Sequence, residues 1–150
     1  MIPEILNPVS DLTSAERAAA HAARATLPLL RATLLAQFPG AHFLILTRSA
    51  EDDELRLDSV RDAHGGVLWD YPWNWRGYQH VQASTPAQIA ALWGDDDPQD
   101  PAVVLDLVDR IDRFARVAFL PGTAMRGEEE SAERTPLGVP LTPAAGATQA

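Results

Sequence analysis

The sequence predicts an α+β domain: an antiparallel meander of three or four strands with helices packed on one face, in the order α-β-β-β-β-α-α, and a disordered C-terminal tail. Three observations predict it. Apolar residues recur at helical spacing in two long segments at either end of the body. Between those segments, short runs with period-two alternation are separated by Gly- and Asp-rich turns. From Pro121 onward there is no aromatic residue and no clear period, so the tail cannot bury enough surface to offset the entropy of ordering it. The boundaries that follow are 1–120 for a single domain and 121–150 for a flexible Pro/Gly/Ala-rich tail.

The first helix is expected to open at Thr13-Ser14-Ala15-Glu16, which has the form of a capping box. It runs through the alanine-rich segment to Thr26, and Pro28 either kinks it or restarts it with Thr26 as the new cap. Leu27, Leu30, Leu34 and Phe38 form the apolar stripe of the second half, with Ala20 and Ala23 continuing it upstream. Arg17, Arg24 and Arg31 recur every seven residues along its flank, either covering the core edge with their stems or forming a cationic stripe. Pro39-Gly40 ends the helix.

Phe43-Leu44-Ile45-Leu46 is an unbroken apolar run suited to a central strand covered on both faces. An acidic turn follows at Glu51–Glu54, then a strand in which Leu55 and Leu57 alternate with polar residues. Val60 breaks that parity, which predicts a bulge near Ser59. Ala63-His64-Gly65-Gly66 reads as a hairpin turn.

The next segment, Trp69 to Tyr78, holds five of the ten aromatic residues of the chain. Val67, Trp69, Tyr71, Trp73 and Trp75 all share one parity, so an extended chain would aim them to one face. Pro72 argues for an edge strand, or for a strand that ends near Tyr71. Val67, Trp69 and Tyr71 are expected as core under the helices. Trp73 and Trp75, beyond the proline, either cap the core or line a surface cleft. Tyr78 to Ala83 can pair back as a fourth strand. Thr85-Pro86-Ala87-Gln88 reads as a second capping box for a short helix reaching Trp93, and Asp95 to Asp97 form an acidic loop. Asp100-Pro101 starts the last helix, with Val103, Val104, Leu107, Val108, Ile111, Phe114, Ala115 and Ala118 as its stripe. Asp106, Asp109 and Asp112 each face an Arg four residues on.

The composition narrows the chemistry. A formal net charge of −9 disfavours phosphate backbones and favours a basic partner. All twelve cations are Arg, which we read as the codon bias of a GC-rich, bacterial genome. The absence of cysteine removes thiol nucleophiles, disulfides and thiolate metal sites, in keeping with a reducing compartment. The opening residues do not resemble a signal peptide, and no apolar run reaches bilayer length, so a cytoplasmic location is expected.

No phosphate loop, dinucleotide fingerprint, serine elbow or zinc helix is present, and without Lys there is no Schiff base. The four histidines do not share a ligand spacing. A facing pair of His80 and Asp70 is the one candidate base and orienter. The acidic runs do not match a calcium loop. No catalytic residue, metal site or cofactor is therefore assigned.

Trp73, Trp75, Arg76 and Tyr78, with Trp69 and Tyr71, are the candidate binding residues, because Trp, Tyr and Arg combine area with a polar handle. The expected function is a non-catalytic acidic protein-binding module, an inhibitor or immunity-type accessory factor acting on a basic protein. One alternative is a small-molecule binder or small enzyme with an aromatic-lined pocket. Another is a nucleic-acid binder using the Arg stripe and Trp stacking.

Overall fold

Two helices, a three-strand meander, a short helix, a long helix and two further strands follow one another along the chain. A computed structural model describes residues 7–71, 82–115, 120–121 and 134–141, and the structural statements below concern those. The elements are α1 (Pro8–Ala25), α2 (Leu27–Gln37), β1 (Phe43–Ser49), β2 (Leu55–Arg61), β3 (Val67–Asp70), α3 (Ala87–Ala90), α4 (Pro101–Ala115), β4 (Leu120–Pro121) and β5 (Arg134–Pro140). A 3₁₀ turn, Ala91–Trp93, extends α3. The α+β class is as the sequence predicts.

The first helix starts earlier than its capping box suggests. Asn7 is the N-cap and Pro8 occupies the first turn, where a missing N–H costs nothing because that donor has no partner inside the helix. Thr13 lies within the helix, and its hydroxyl donates back to the Val9 carbonyl at 3.0 Å. At the junction Thr26 separates α1 from α2, with Pro28 in the first turn of α2. The Thr26 hydroxyl donates to the Ala23 carbonyl at 2.6 Å, closing α1 and leaving α2 without a side-chain cap.

The strands form one antiparallel sheet in the order β3-β2-β1-β5-β4. The central position expected for Phe43–Leu46 is occupied by β1, and Leu44, Ile45 and Leu46 are fully buried. The predicted bulge is present: Ile45 pairs with Ser59 and Leu46 with Leu57, so Asp58 is the extra residue. The skip carries Leu55, Leu57 and Val60 onto one face despite their mixed parity. A second shift pairs Val60 with Trp69 and Arg61 with Val67, omitting Leu68. Val67 thereby leaves the face of Trp69 and is 37% exposed, contrary to its expected place in the core.

The larger correction concerns the tail. Arg134–Pro140, inside the stretch read as flexible, is an inner strand pairing with all of β1 from Phe43 to Ser49. Its prolines hid it. The Leu141 N–H donates to the His42 carbonyl at 2.8 Å, and antiparallel alternation then directs the odd-numbered N–H groups of β5 toward β1. Pro136 and Pro140 fall on the other side, where β4 pairs only with Leu137 and Gly138. Their missing donors therefore remove no bond to β1. The Pro140 carbonyl, on that same side, accepts from Arg31 Nε at 3.0 Å. The expected fourth strand at 78–83 falls mostly outside the described residues, and Gln82 and Ala83 are not in a strand.

The helices cover one face. Leu30, Leu34 and Phe38 of the α2 segment and Val104, Leu107, Val108 and Ile111 of α4 pack with Leu44, Leu46, Val60 and Val139 of the sheet. A polar seam runs through this layer. Gln37, fully buried, donates from Nε2 to Thr85 Oγ1 at 2.9 Å and to the Pro98 carbonyl at 3.0 Å, and its Oε1 accepts from Gln82 Nε2 at 3.0 Å. The Trp93 indole N–H donates to Thr33 Oγ1 at 2.9 Å. Thr85 also binds Gln99 Oε1, at 2.7 Å from its N–H and 2.8 Å from its hydroxyl. It is thus not the capping residue the sequence suggests.

Candidate functional site

Of the six aromatic-segment residues picked out as binding candidates, Trp69 and Tyr71 face the core. The Trp69 ring lies 5.3 Å from that of Phe38 and meets Tyr71 edge-on at 6.4 Å. Both pack against the buried cluster, as the core expectation required. Burial pushes the Tyr71 phenol well above its ordinary pKa, and its hydroxyl has no hydrogen-bond partner among the described residues. Trp73, Trp75, Arg76 and Tyr78 lie outside the described residues, as does His80.

The bulge in β2 gathers a polar cluster on the sheet face opposite the helices. The Ser59 hydroxyl donates to Asp58 Oδ2 at 2.9 Å and accepts from Arg61 Nε at 2.9 Å. Arg61, nearly buried, also donates to the Gly65 carbonyl at 3.2 Å, and its other terminal nitrogen lies 3.8 Å from Asp58. Asp70 pairs with Ser59 across the ladder. These contacts tie the bulge to the β2–β3 turn. In that turn the Asp62 carboxylate accepts from the Gly66 N–H at 2.8 Å and the His64 N–H at 2.9 Å, which holds its pKa below the usual carboxylate value. Within the cluster the Asp58 carboxylate holds the Ser59 proton and the Arg61 guanidinium is bonded to the same hydroxyl oxygen.

The Arg stripe divides. Arg24 donates to the Ala115 carbonyl at 3.3 Å, where a cation complements the C-terminal end of α4. Arg31 is held on Pro140, and Arg17 remains on the surface. On α4, Asp106 pairs with Arg110 at 3.2 Å and Asp109 with Arg113 at 2.7 Å, as the spacing suggests. Asp112 meets Arg48 of β1 at 2.6 Å. Partial burial works against the Arg48 charge, but Asp112, with Asp53 behind it, more than offsets this, so its pKa is raised. Arg116, its sequence-predicted partner, lies outside the described residues.

Two open concavities bounded by described residues lie on the helical layer. One, of about 350 Å³, is walled by Leu29 of α2, Leu92 and Trp93 of the 3₁₀ turn, and Val103 and Leu107 of α4, with Asp96 and Asp106 at its rim. The second, about 260 Å³, lies between α1 and α4, floored by Ala19, Ala22 and Ala23 and walled by Ile111 and Phe114. Thr26, Leu107 and Arg110 line both, so the two adjoin as one channel along α4. Its ends carry exposed apolar side chains, Leu92 at 71% and Phe114 at 45%.

Sequence reasoning placed Phe114 in the buried stripe. The centre of that stripe is Val104, Val108, Ile111 and Ala115, and a run of eight apolar positions is wider than one packed face needs. The excess width was the available signal. Among the described residues, no three acidic or histidine side chains are close enough to hold a metal ion, and no helix is long and apolar enough to cross a membrane. No family model, curated protein or solved structure matches the chain.

Proposed function

We propose that the chain is a non-catalytic acidic binding protein, an inhibitor or immunity-type accessory factor that docks a basic protein partner inside the cell. The observation that carries this reading is the open groove along α4, apolar between α1 and α4 and mixed in polarity toward Asp96, on a chain of net charge −9. Apolar surface gives such a site its affinity, and acidic rims give it partner choice and a fast encounter. Trp73, Trp75, Arg76 and Tyr78 would add the residue types of a binding hot spot.

The nucleic-acid alternative loses support where Arg24 and Arg31 are occupied by backbone carbonyls. The small-molecule alternative rests on Trp73, Trp75 and Arg76, since the one guanidinium lining the channel, Arg110, is already paired with Asp106. Affinity capture from a lysate of the source cell tests the reading. A basic protein retained in stoichiometric amount is expected, and recovery of nucleic acid alone, or of no partner, would overturn it.

A further inference from the structure

We infer that the occupant of the α1–α4 channel is a cationic amphipathic helix of the partner, a proposal that rests on the binding-protein reading above. From Ala102 to Phe114 the channel follows α4 for about 18 Å, the length of roughly three helical turns.

The walls are helices, whose backbone N–H and C=O groups are already bonded internally. An extended peptide laid there would bury unpaired backbone groups, at a cost of about 1–3 kcal/mol each. A helix satisfies its own backbone and presents side chains only. The alanine floor, Ala19, Ala22 and Ala23, allows a close helix approach, toward the lower end of the usual range of about 8–10 Å. Leu12 lies on the same stripe of α1 as Ala19 and Ala22 and is 59% exposed, so apolar surface continues past the channel mouth.

Charge decides between a foreign helix and a second copy of this chain. Asp95 and Asp96 flank the Leu92 end and make no ion pair or side-chain hydrogen bond among the described residues. Asp11 and Glu16 are exposed on α1, whereas Asp106 and Asp109 of α4 are paired with Arg110 and Arg113 and add no net charge. A second copy would bring its own Asp95, Asp96, Asp11 and Glu16 to the interface, each chain carrying −9, and like charges set face to face oppose association. Arg or Lys side chains flanking an apolar stripe would meet them with the opposite sign.

The probe is a synthetic amphipathic helix of ~14 residues, Leu on one stripe and Lys elsewhere, with a twin carrying Glu in place of Lys. Calorimetric titration and far-UV circular dichroism at low salt should show the Lys peptide binding the full chain and gaining helix, and the Glu peptide failing to bind. Leu92→Ser combined with Phe114→Ser should weaken binding by about tenfold or more, with the melting temperature unchanged because both side chains are exposed. Asp95→Asn with Asp96→Asn should flatten the salt dependence.

Equal binding of both peptides, or an unchanged affinity in the Leu92/Phe114 variant, overturns the inference. So does a wild-type dimer that this variant dissociates, since the occupant would then be a second copy. A captured basic partner that resists the Leu92/Phe114 change but is lost with Trp73→Ala and Trp75→Ala would refute the helix site and leave the binding-protein reading standing. Peptide binding without any captured basic partner would do the reverse.

Discussion

Leu137→Pro and Pro136→Ala place opposite demands on neighbouring positions of one strand. If β5 is an inner strand with the parity derived above, the Leu137 N–H faces β1, opposite Leu46. A proline there deletes a ladder bond and leaves an acceptor beside the fully buried Leu46 unpaired, costing about 1–3 kcal/mol. Its ring and fixed φ disturb the ladder further, for a total of roughly 3–5 kcal/mol. Set against a typical domain stability of about 5–15 kcal/mol, that is a lowering of the melting temperature by roughly 10–20 °C for a chain of this size. Pro136→Ala deletes no bond to β1 and should stay within about 1 kcal/mol of the parent. Thermal and urea unfolding followed by far-UV circular dichroism measures both. A chain ending at Glu133 lacks the strand altogether, and with it buried Val139 and Leu141, and should lose its cooperative transition. Near-parental stability of the truncated chain, or equal damage from both substitutions, would refute the strand assignment or its parity.

Gln37→Leu removes one donor group and one acceptor that serve three partners, leaving the buried Pro98 carbonyl unsatisfied. A loss of about 2–4 kcal/mol is expected in thermal unfolding, and a change below experimental error would show that the seam is not needed. Tyr71→Phe deletes a hydroxyl without a described partner, so stability should be unchanged or higher by up to about 1 kcal/mol, with a clear loss revealing a partner. Carbon-detected titration should place the Asp62 pKa below the ordinary carboxylate value, because the Gly66 and His64 N–H groups hold its charged form. A lowered folded pKa means that its stabilising contribution is complete above the unfolded value of about 3.9 and is lost as pH falls through the folded one. An ordinary or raised value would contradict the turn geometry.

What could be read in advance depended on whether a signal was local. Val60 broke the alternation of Leu55 and Leu57 within a few residues, and the bulge at Asp58 follows from it. The shift at Leu68 left no such mark, since Val67 and Trp69 share a parity that only pairing with β2 interrupts. For the first helix the Thr13 box is the start read from the sequence, and the helix instead begins at Asn7-Pro8, where a proline in the first turn removes no internal bond. The inner strand β5 was illegible for a different reason: two prolines and a glycine in seven residues argue against a strand until the neighbour is known and the prolines prove to face away from it. The channel is likewise a product of packing. No sequence period says that Ala19 will lie opposite Phe114, though the exposed pairs along α4 were visible as i to i+4 spacing.

On the proposed reading, the placement of the cations would make so acidic a chain selective in what it binds. Arg24 and Arg31 are fastened to backbone carbonyls, Arg48 and Arg61 are held against carboxylates in the body of the domain, and Arg134 donates to Thr47 and to the Glu54 carbonyl. Arg56, Arg110 and Arg113 are paired with neighbouring acids. Among the described residues Arg17 is the arginine left without such a contact. Among the described residues, structural contacts thus occupy every arginine but Arg17, while Asp95 and Asp96 carry no ion pair there. Exposed charge pairs contribute at most about 1 kcal/mol each, so in a binding role the carboxylates would act chiefly on which molecules approach and how fast. On the proposed reading, holding the partner would fall to the surface between Leu92 and Phe114, and like charge would oppose a second copy there.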